Sequence, residues 1–238
     1  MTAVSNIMYF SNEGKLRKGE NPMDVFETIC NRRSARAFRP DSIPKEKIEE
    51  VLKLTINAPS ANNLQPWEFV VVMDEEKHRL SRKLTKAYQE KRLSCNSGAV
   101  KPLPKDIRQR GIQTLESMKV YADRIGVSID DFVNEGSCNF YGAPVAIILC
   151  LDDCFSSRQM VDVGTAVGYL VLAAHASGLA TCPIGLIADY ADEIKDLLNI
   201  PENKKIVIGI ALGYPDQENP MSQFRSPRAD VNKLVRWI

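Results

Sequence analysis

Three short apolar runs stand out along the chain: Glu68 to Met73 (EFVVVM), Val145 to Leu151 (VAIILCL) and Ile206 to Leu212 (IVIGIAL). Each has the length of a strand and is rich in β-branched residues. Gly142-Ala143-Pro144 and Asp152-Asp153 bound the second and Gly213 stops the third, so three buried strands are predicted. Between these runs the pattern turns helical. Asn21-Pro22-Met23-Asp24 has the chemistry of a helix start, with Asn21 as N-cap and Pro22 at the first helical position, and this short helix should end near Asn31. A second helix begins at Pro44, where Ile48, Val51, Leu52 and Thr55 line one face, and Ala58-Pro59-Ser60 ends it. A charged helix is expected from Asp74 to about Lys91, another from Lys105 to Arg124, and an apolar one from Met160 to Ala176, followed by a turn. Ser94 to Lys105, with Gly98, Pro102 and Pro104, reads as a loop. Helices and strands without strict alternation predict an α+β fold, a sheet covered by helices.

The chain has 238 residues, 44% hydrophobic and 26% charged, enough to bury a core without disulfides or metals. No repeat or linker divides it, so residues 1–22 are expected to form a polar arm and residues 23–238 a single domain. Lys+Arg 31 against Asp+Glu 30 leaves a net charge of +1, which argues against nucleic-acid binding, where a basic stripe normally carries the affinity. From Val163 to Ile187 no residue carries a formal charge, but Ser177-Gly178 and Pro183 interrupt the run. The helical portion of about 15 residues spans roughly 22 Å, short of a ~30 Å hydrocarbon core, so a buried central helix is expected rather than a membrane span. Met1 to Phe10 lacks the basic start and apolar run of a secretory signal. The six cysteines are scattered, with no C-x-x-C pair and only His78 and His175 as histidine partners, so they read as reduced thiols of a cytoplasmic protein without a metal site.

The common catalytic signatures are missing: there is no G-x-G-x-x-G after a strand, no phosphate loop, no H-E-x-x-H and no G-x-S-x-G. If the chain is an enzyme, a bound cofactor carries the difficult step. Arg32-Arg33-Ser34-Ala35-Arg36-Ala37-Phe38 places three guanidiniums and a hydroxyl together just past the first helix. Such a run suits a phosphate or another polyanion, and equally suits cations complementing a helix dipole. Ala58 to Trp67 (APSANNLQPW) is a Pro-fixed, amide-rich loop running into a strand. Thr181-Cys182-Pro183-Ile184-Gly185 reads as a turn whose backbone N–H groups can face a ligand, and Arg225 and Arg228 form a second cationic pair in the tail.

In this order the segments resemble the FMN-dependent nitroreductase family, also called the NADH oxidase/flavin reductase superfamily. Arg32–Phe38 is similar to its N-terminal flavin motif and Ala58–Trp67 to its A-P-S-x-x-N-x-Q-P-W segment. Phe140-Tyr141-Gly142-Ala143-Pro144 resembles its Gly-Ala-Pro entry to a strand, Ala173 to Leu179 its A-A-x-x-x-G-L helix end, and Ile208–Pro215 its glycine-containing late strand. The resemblance covers about Met23 to Trp237. It implies a nitroreductase-like fold, a central mixed β-sheet flanked by helices in an intertwined homodimer, with two FMN sites between subunits.

The resemblance further implies that Arg32, Ser34 and Arg36 hold the phosphate, ribityl chain and pyrimidine edge of FMN, with Arg33 contributing. Pro59, Ser60, Ala61 and Asn63 would reach the flavin from the partner subunit. Cys182, Pro183, Ile184 and Gly185 would bring backbone to the N5 edge, and Arg225 and Arg228 would add cations on the phosphate. The uncharged helix face from Val163 to Ala176 would suit the subunit interface. The expected reaction is ping-pong hydride transfer from NADH or NADPH through N5 to a small electron-poor acceptor such as a nitroarene or quinone, with no side chain as nucleophile. Another reaction on the same fold (reductive dehalogenation, flavin fragmentation or dehydrogenation) and a non-catalytic FMN-binding module are the alternatives. Cys182 is expected to pack rather than to modulate the flavin. The segment from Ser94 to Cys138 carries no family motif and is expected to line the substrate mouth, with Phe132, Tyr141 and Tyr121 as candidate lids.

Overall fold

A four-stranded sheet runs through the computed structural model, which describes residues 24–96 and 98–238. Its strands are β1 (Trp67–Val72), β2 (Val145–Asp152), β3 (Ala180–Ile184) and β4 (Lys204–Gly213), in the order β1-β2-β4-β3. All three ladders are antiparallel. The sheet is therefore antiparallel rather than mixed, and the parallel pairing that remains is one isolated bridge, Ser34 with Thr181. Seven helices are described: α1 (Val25–Asn31), α2 (Lys45–Thr55), α3 (Asp74–Lys91), α4 (Lys105–Arg124), α5 (Ile129–Cys138), α6 (Met160–Ala176) and α7 (Ala191–Leu198).

The second apolar run is buried on both faces, which is why it shows no polar alternation. Val145, Ile147, Leu149 and Leu151 pack with α2 and α6, while Ala146, Ile148 and Cys150 pack with α3, α5 and α7. In β4 a bulge changes the alternation. Leu149 pairs with Ile208 but Cys150 pairs with Ile206, so Val207 is an extra residue. Ile208, Ile210 and Leu212 accordingly face α6, whereas Ile206 faces the α3 side.

Two further expectations change. Thr181-Gly185 is not a plain turn: Ala180–Ile184 forms β3 and the chain enters a 3-10 segment from Gly185 to Tyr190. Pro183 is tolerated because β3 is an edge strand, where a missing N–H interrupts no second ladder. At the other end α1 starts at Val25, with Asp24 as N-cap making no side-chain cap bond. The proposed cap Asn21 and the arm lie outside the described residues. Gly178, at φ +74, lets α6 end in a tight reversal in which the Leu179 N–H donates to the Ala174 carbonyl at 2.9 Å, and β3 follows directly.

No helix among the described residues is long and apolar enough to cross a membrane. Instead α6 lies on the sheet and α2 through Val163, Ala166, Leu170 and Ala174. Its other side leaves Val161 72% and Tyr169 41% exposed, and Val25, Phe26 and Ile29 of α1 are each more than half exposed.

A β carbon at Gly209 would come 2.8 Å from Ile187 Cγ1, inside van der Waals contact. Gly209→Ala should therefore destabilise the fold by about 1–3 kcal/mol, read as a lower urea midpoint with an unchanged slope.

Candidate functional site

The Arg32–Phe38 run begins as the C-cap of α1, with the Arg32 N–H donating to the Thr28 carbonyl at 3.0 Å. It leaves α1 extended and lies along the free edge of β3: the Ala35 N–H donates to the Thr181 carbonyl at 2.9 Å, and further on the Arg39 N–H donates to the Tyr214 carbonyl at 2.9 Å. The two-residue period of extended backbone buries Ala35 and Ala37 and leaves Ser34 and Arg36 half-buried between them. The tail is fixed independently. Phe224 packs with Met118, Ala122 and Met221 in a small third core against α4, and the Ser222 hydroxyl donates to the Asp216 carbonyl.

These two anchorings bring Arg32 and Arg33 together with Arg225 and Arg228 around a cleft of about 640 Å³, whose wall includes Gly168, Val171 and Leu172 of α6. None of the four makes an ion pair among the described residues. Their polar contacts are neutral: Arg33 Nη2 donates to Gln217 Oε1 at 3.4 Å, Arg225 Nη1 to the Ser222 and Phe224 carbonyls at 3.0 and 2.9 Å, and Arg228 Nη1 to Ser226 Oγ at 2.6 Å. Burial and then the nearby Arg228 lower the pKa of Arg32, and burial and then Arg225 lower that of Arg33. Like charges gathered without a counter-charge create a strongly positive potential, and an anion of fitting size relieves it. The cleft therefore carries the charge and the donors that an anion would need.

Arg36 lies deeper. Its Nη1 donates to the Ser34 carbonyl at 3.4 Å, its Cζ stands 5.8 Å from the Tyr141 ring centroid, and its Nε is buried with no partner. Burial opposes its charge, but Cys182, Tyr141 and Cys95 outweigh that and raise its pKa. The Cys182 side chain sits in the core under the sheet, 1% exposed, and burial pushes its thiol up, so it packs as a neutral group. Pro183, Ile184 and Gly185 continue along the edge strand and into the 3-10 segment.

The structure does not bring Pro59, Ser60, Ala61 and Asn63 to this cleft. Their loop follows α2, with Asn62, Asn63 and Gln65 all at positive φ, a conformation amide side chains tolerate. Ser60 Oγ accepts from the Gln65 N–H at 2.9 Å, and the Ala61 N–H donates to Asp162 Oδ1 at 3.3 Å in the first turn of α6. Leu172, at the arginine cleft, is ten residues further along that helix, roughly 15 Å at 1.5 Å per residue. Within one chain the loop is exposed and separate.

Among the candidate lids, Tyr121 packs on Phe224 with ring centroids 6.0 Å apart, and Phe132 packs on Tyr141 at 5.5 Å. All three rings are part of the packing. A neighbour that sequence reasoning missed is His175 near the end of α6, which feels Arg32 and Arg33. Its Nε2 is buried without a partner, and only its place in the helix-end segment marked it.

Burial, then Arg32 and Arg33, hold the His175 pKa below its ordinary 6.5. The unfolded chain thus takes up this proton first, so the associated stability is present above about pH 6.5 and is lost as pH falls. A proton NMR titration should give His175 a midpoint below 6.5 that moves upward in Arg32→Gln and Arg33→Gln.

The chain is similar to known proteins. The model of the nitroreductase family matches residues 29–214. The chain is 34% identical over 214 residues to nitroreductase NfnB of Mycolicibacterium smegmatis, covering 88% of this chain and 90% of that one. It is 30% identical to 4-nitrobenzoate reductase of Pseudomonas putida, covering 90% and 96% of the two chains. The crystal structure of the FMN-dependent nitroreductase NfnB from Mycobacterium smegmatis in complex with NADPH superposes with a TM-score of 0.79 at 31% identity, covering 89% and 96% of the two chains. The matched span takes in Arg32–Phe38, the Pro59–Trp67 loop and all four strands, and on that breadth the chain belongs to the nitroreductase family.

Proposed function

We propose that the chain is an FMN-dependent NAD(P)H oxidoreductase that reduces nitroaromatic, quinone or related electron-poor small molecules. The observation that carries this reading is the cleft lined by Arg32, Arg33, Arg225 and Arg228, four cations with no carboxylate partner among the described residues. A phosphate monoester carries a charge of about −2 and three strong acceptor oxygens, which is what such a cluster lacks. Ser34 and Arg36 follow Arg32 and Arg33 along the same extended segment, and the buried Nε of Arg36 has no partner, so further polar groups are available to an elongated phosphorylated cofactor. The FMN dependence and NADPH complex described for the mycobacterial relative, and the 4-nitrobenzoate activity named for the Pseudomonas one, support the same donor and acceptor classes.

In this reading Arg32, Arg33, Arg225 and Arg228 bind the phosphate, Ser34 meets the ribityl chain, and Arg36 faces the pyrimidine edge. The backbone of Cys182–Gly185, on the sheet edge, supplies a rigid wall for the ring. Bound FMN supplies hydride transfer through N5 between the nicotinamide and the acceptor, so no side chain acts as nucleophile. Arg36 favours added electron density on the ring by its charge.

Pro59, Ser60, Ala61 and Asn63 complete the site from a second copy in a homodimer. Their exposure in one chain supports this, as do the exposed apolar side chains Val161 and Tyr169 of α6 and Phe26 and Ile29 of α1. Six unbridged cysteines support a cytoplasmic location.

Anaerobic NADPH or NADH should bleach the flavin spectrum of the purified holoprotein, and 4-nitrobenzoate should restore it. Arg32→Ala should weaken FMN binding by roughly ten- to a hundredfold, the worth of a charge-assisted hydrogen bond, and leave riboflavin binding unchanged. Failure of both donors to bleach the flavin, or equal loss of riboflavin, would contradict the assignment.

A further inference from the structure

Arg36 is a largely enclosed cation held without a carboxylate. Among the described residues its surroundings are the Ser34 carbonyl, the Cys182 and Cys95 side chains, and the face of Tyr141, whose centroid lies 5.8 Å from the guanidinium carbon. A carboxylate in that place would fix the guanidinium but cancel its charge. An aromatic face orients a guanidinium through its quadrupole and leaves the net charge intact.

The Tyr141 ring is itself held with unusual firmness. Phe140, Tyr141 and Gly142 take φ values of +58, +53 and +75 in succession, a left-handed run that costs free energy for the two side-chain-bearing residues. Such a run persists where surrounding contacts over-determine it. The phenol oxygen stands 3.2 Å from Ser137 Oγ, the Phe132 ring packs at 5.5 Å, and a β carbon at Gly136 would sit 2.8 Å from Tyr141 Cε1. The phenol is neutral across the physiological range, since burial pushes its pKa up to about 12. It therefore offers Arg36 its ring face and a neutral hydroxyl oxygen, and becomes a counter-charge only well above that range.

We propose that Tyr141 is the positioning residue for Arg36, seated by Gly136, and that its ring holds the guanidinium unneutralised so that the site prefers the reduced over the oxidised form of FMN. This rests on the FMN reading above and adds to it a residue that sets the cofactor's potential from beneath the cation that faces it.

The test is the two-electron midpoint potential of FMN bound to the holoprotein, with dissociation constants for oxidised FMN measured alongside. Tyr141→Leu should weaken binding of reduced relative to oxidised FMN by three- to tenfold, a fall of about 15–30 mV at 29.6 mV per tenfold for a two-electron couple. Tyr141→Phe, which keeps the ring face, should stay within about twofold of the parent. Gly136→Ala, which favours its helix but crowds the ring, should shift the potential in the same direction as Tyr141→Leu. An unchanged potential in folded, FMN-loaded Tyr141→Leu would overturn the inference, as would a Phe variant shifted as far as the Leu variant. Should Tyr141→Leu fail to fold, an unchanged potential in Gly136→Ala overturns it instead. A parent chain that takes up no FMN overturns the proposed function and this inference together, whereas FMN bound with unshifted potentials overturns the inference alone.

Discussion

Guanidinium groups repel one another, yet this fold draws four of them to one cleft and gives none a carboxylate partner among the described residues. The arrangement depends on two anchorings remote in sequence. One is the extended segment after α1, which takes its place on the sheet edge through the Ala35–Thr181 hydrogen bond. The other is the tail, pinned where Phe224 enters the small core on α4. Neither anchoring involves the arginines' charges. Apolar burial and backbone hydrogen bonding thus offset the repulsion and keep the cations together.

The frame that carries this load is the antiparallel sheet, whose second strand is buried on both sides and whose fourth strand changes face at the Val207 bulge. The bulge keeps Ile208, Ile210 and Leu212 facing α6 while Ile206 closes the other core. The edge strand β3 then serves both purposes at once: one side pairs with β4, and the other receives the arginine segment. Cys182 lies where this edge meets the core, which is why its thiol is neutral and packed. In the proposed function the same edge presents backbone to the flavin.

Much of this was legible in the sequence and some was not, for identifiable reasons. The three apolar runs and the helices Asp74–Lys91, Lys105–Arg124 and Met160–Ala176 follow from hydrophobic period and turn residues, signals that need no knowledge of neighbours. The strand Ala180–Ile184 was hidden because Pro183 and Gly185 are turn residues, and only its place at the sheet edge makes them admissible. Helices α5 and α7 are short, and Gly136 within the first of them weakens its helical signal. The Val207 bulge left no trace because IVIGIAL is apolar throughout. Around the site, Arg32 to Arg36 offered two readings, helix-end cations or a ligand cluster, and the choice turns on contacts with Thr181 and Tyr214 nearly 150 residues or more away. The role of Tyr141 was invisible from sequence, because its contact with Arg36 depends on two left-handed residues that no local pattern announces.

The most direct check on the central claim is a crystal structure of the chain grown with FMN. The account predicts the phosphate within hydrogen-bonding distance of Arg32, Arg33, Arg225 and Arg228, and the loop of Pro59 to Asn63 from a second copy over the ring. A phosphate bound elsewhere, with these guanidinium groups turned to solvent or paired with carboxylates, would contradict it.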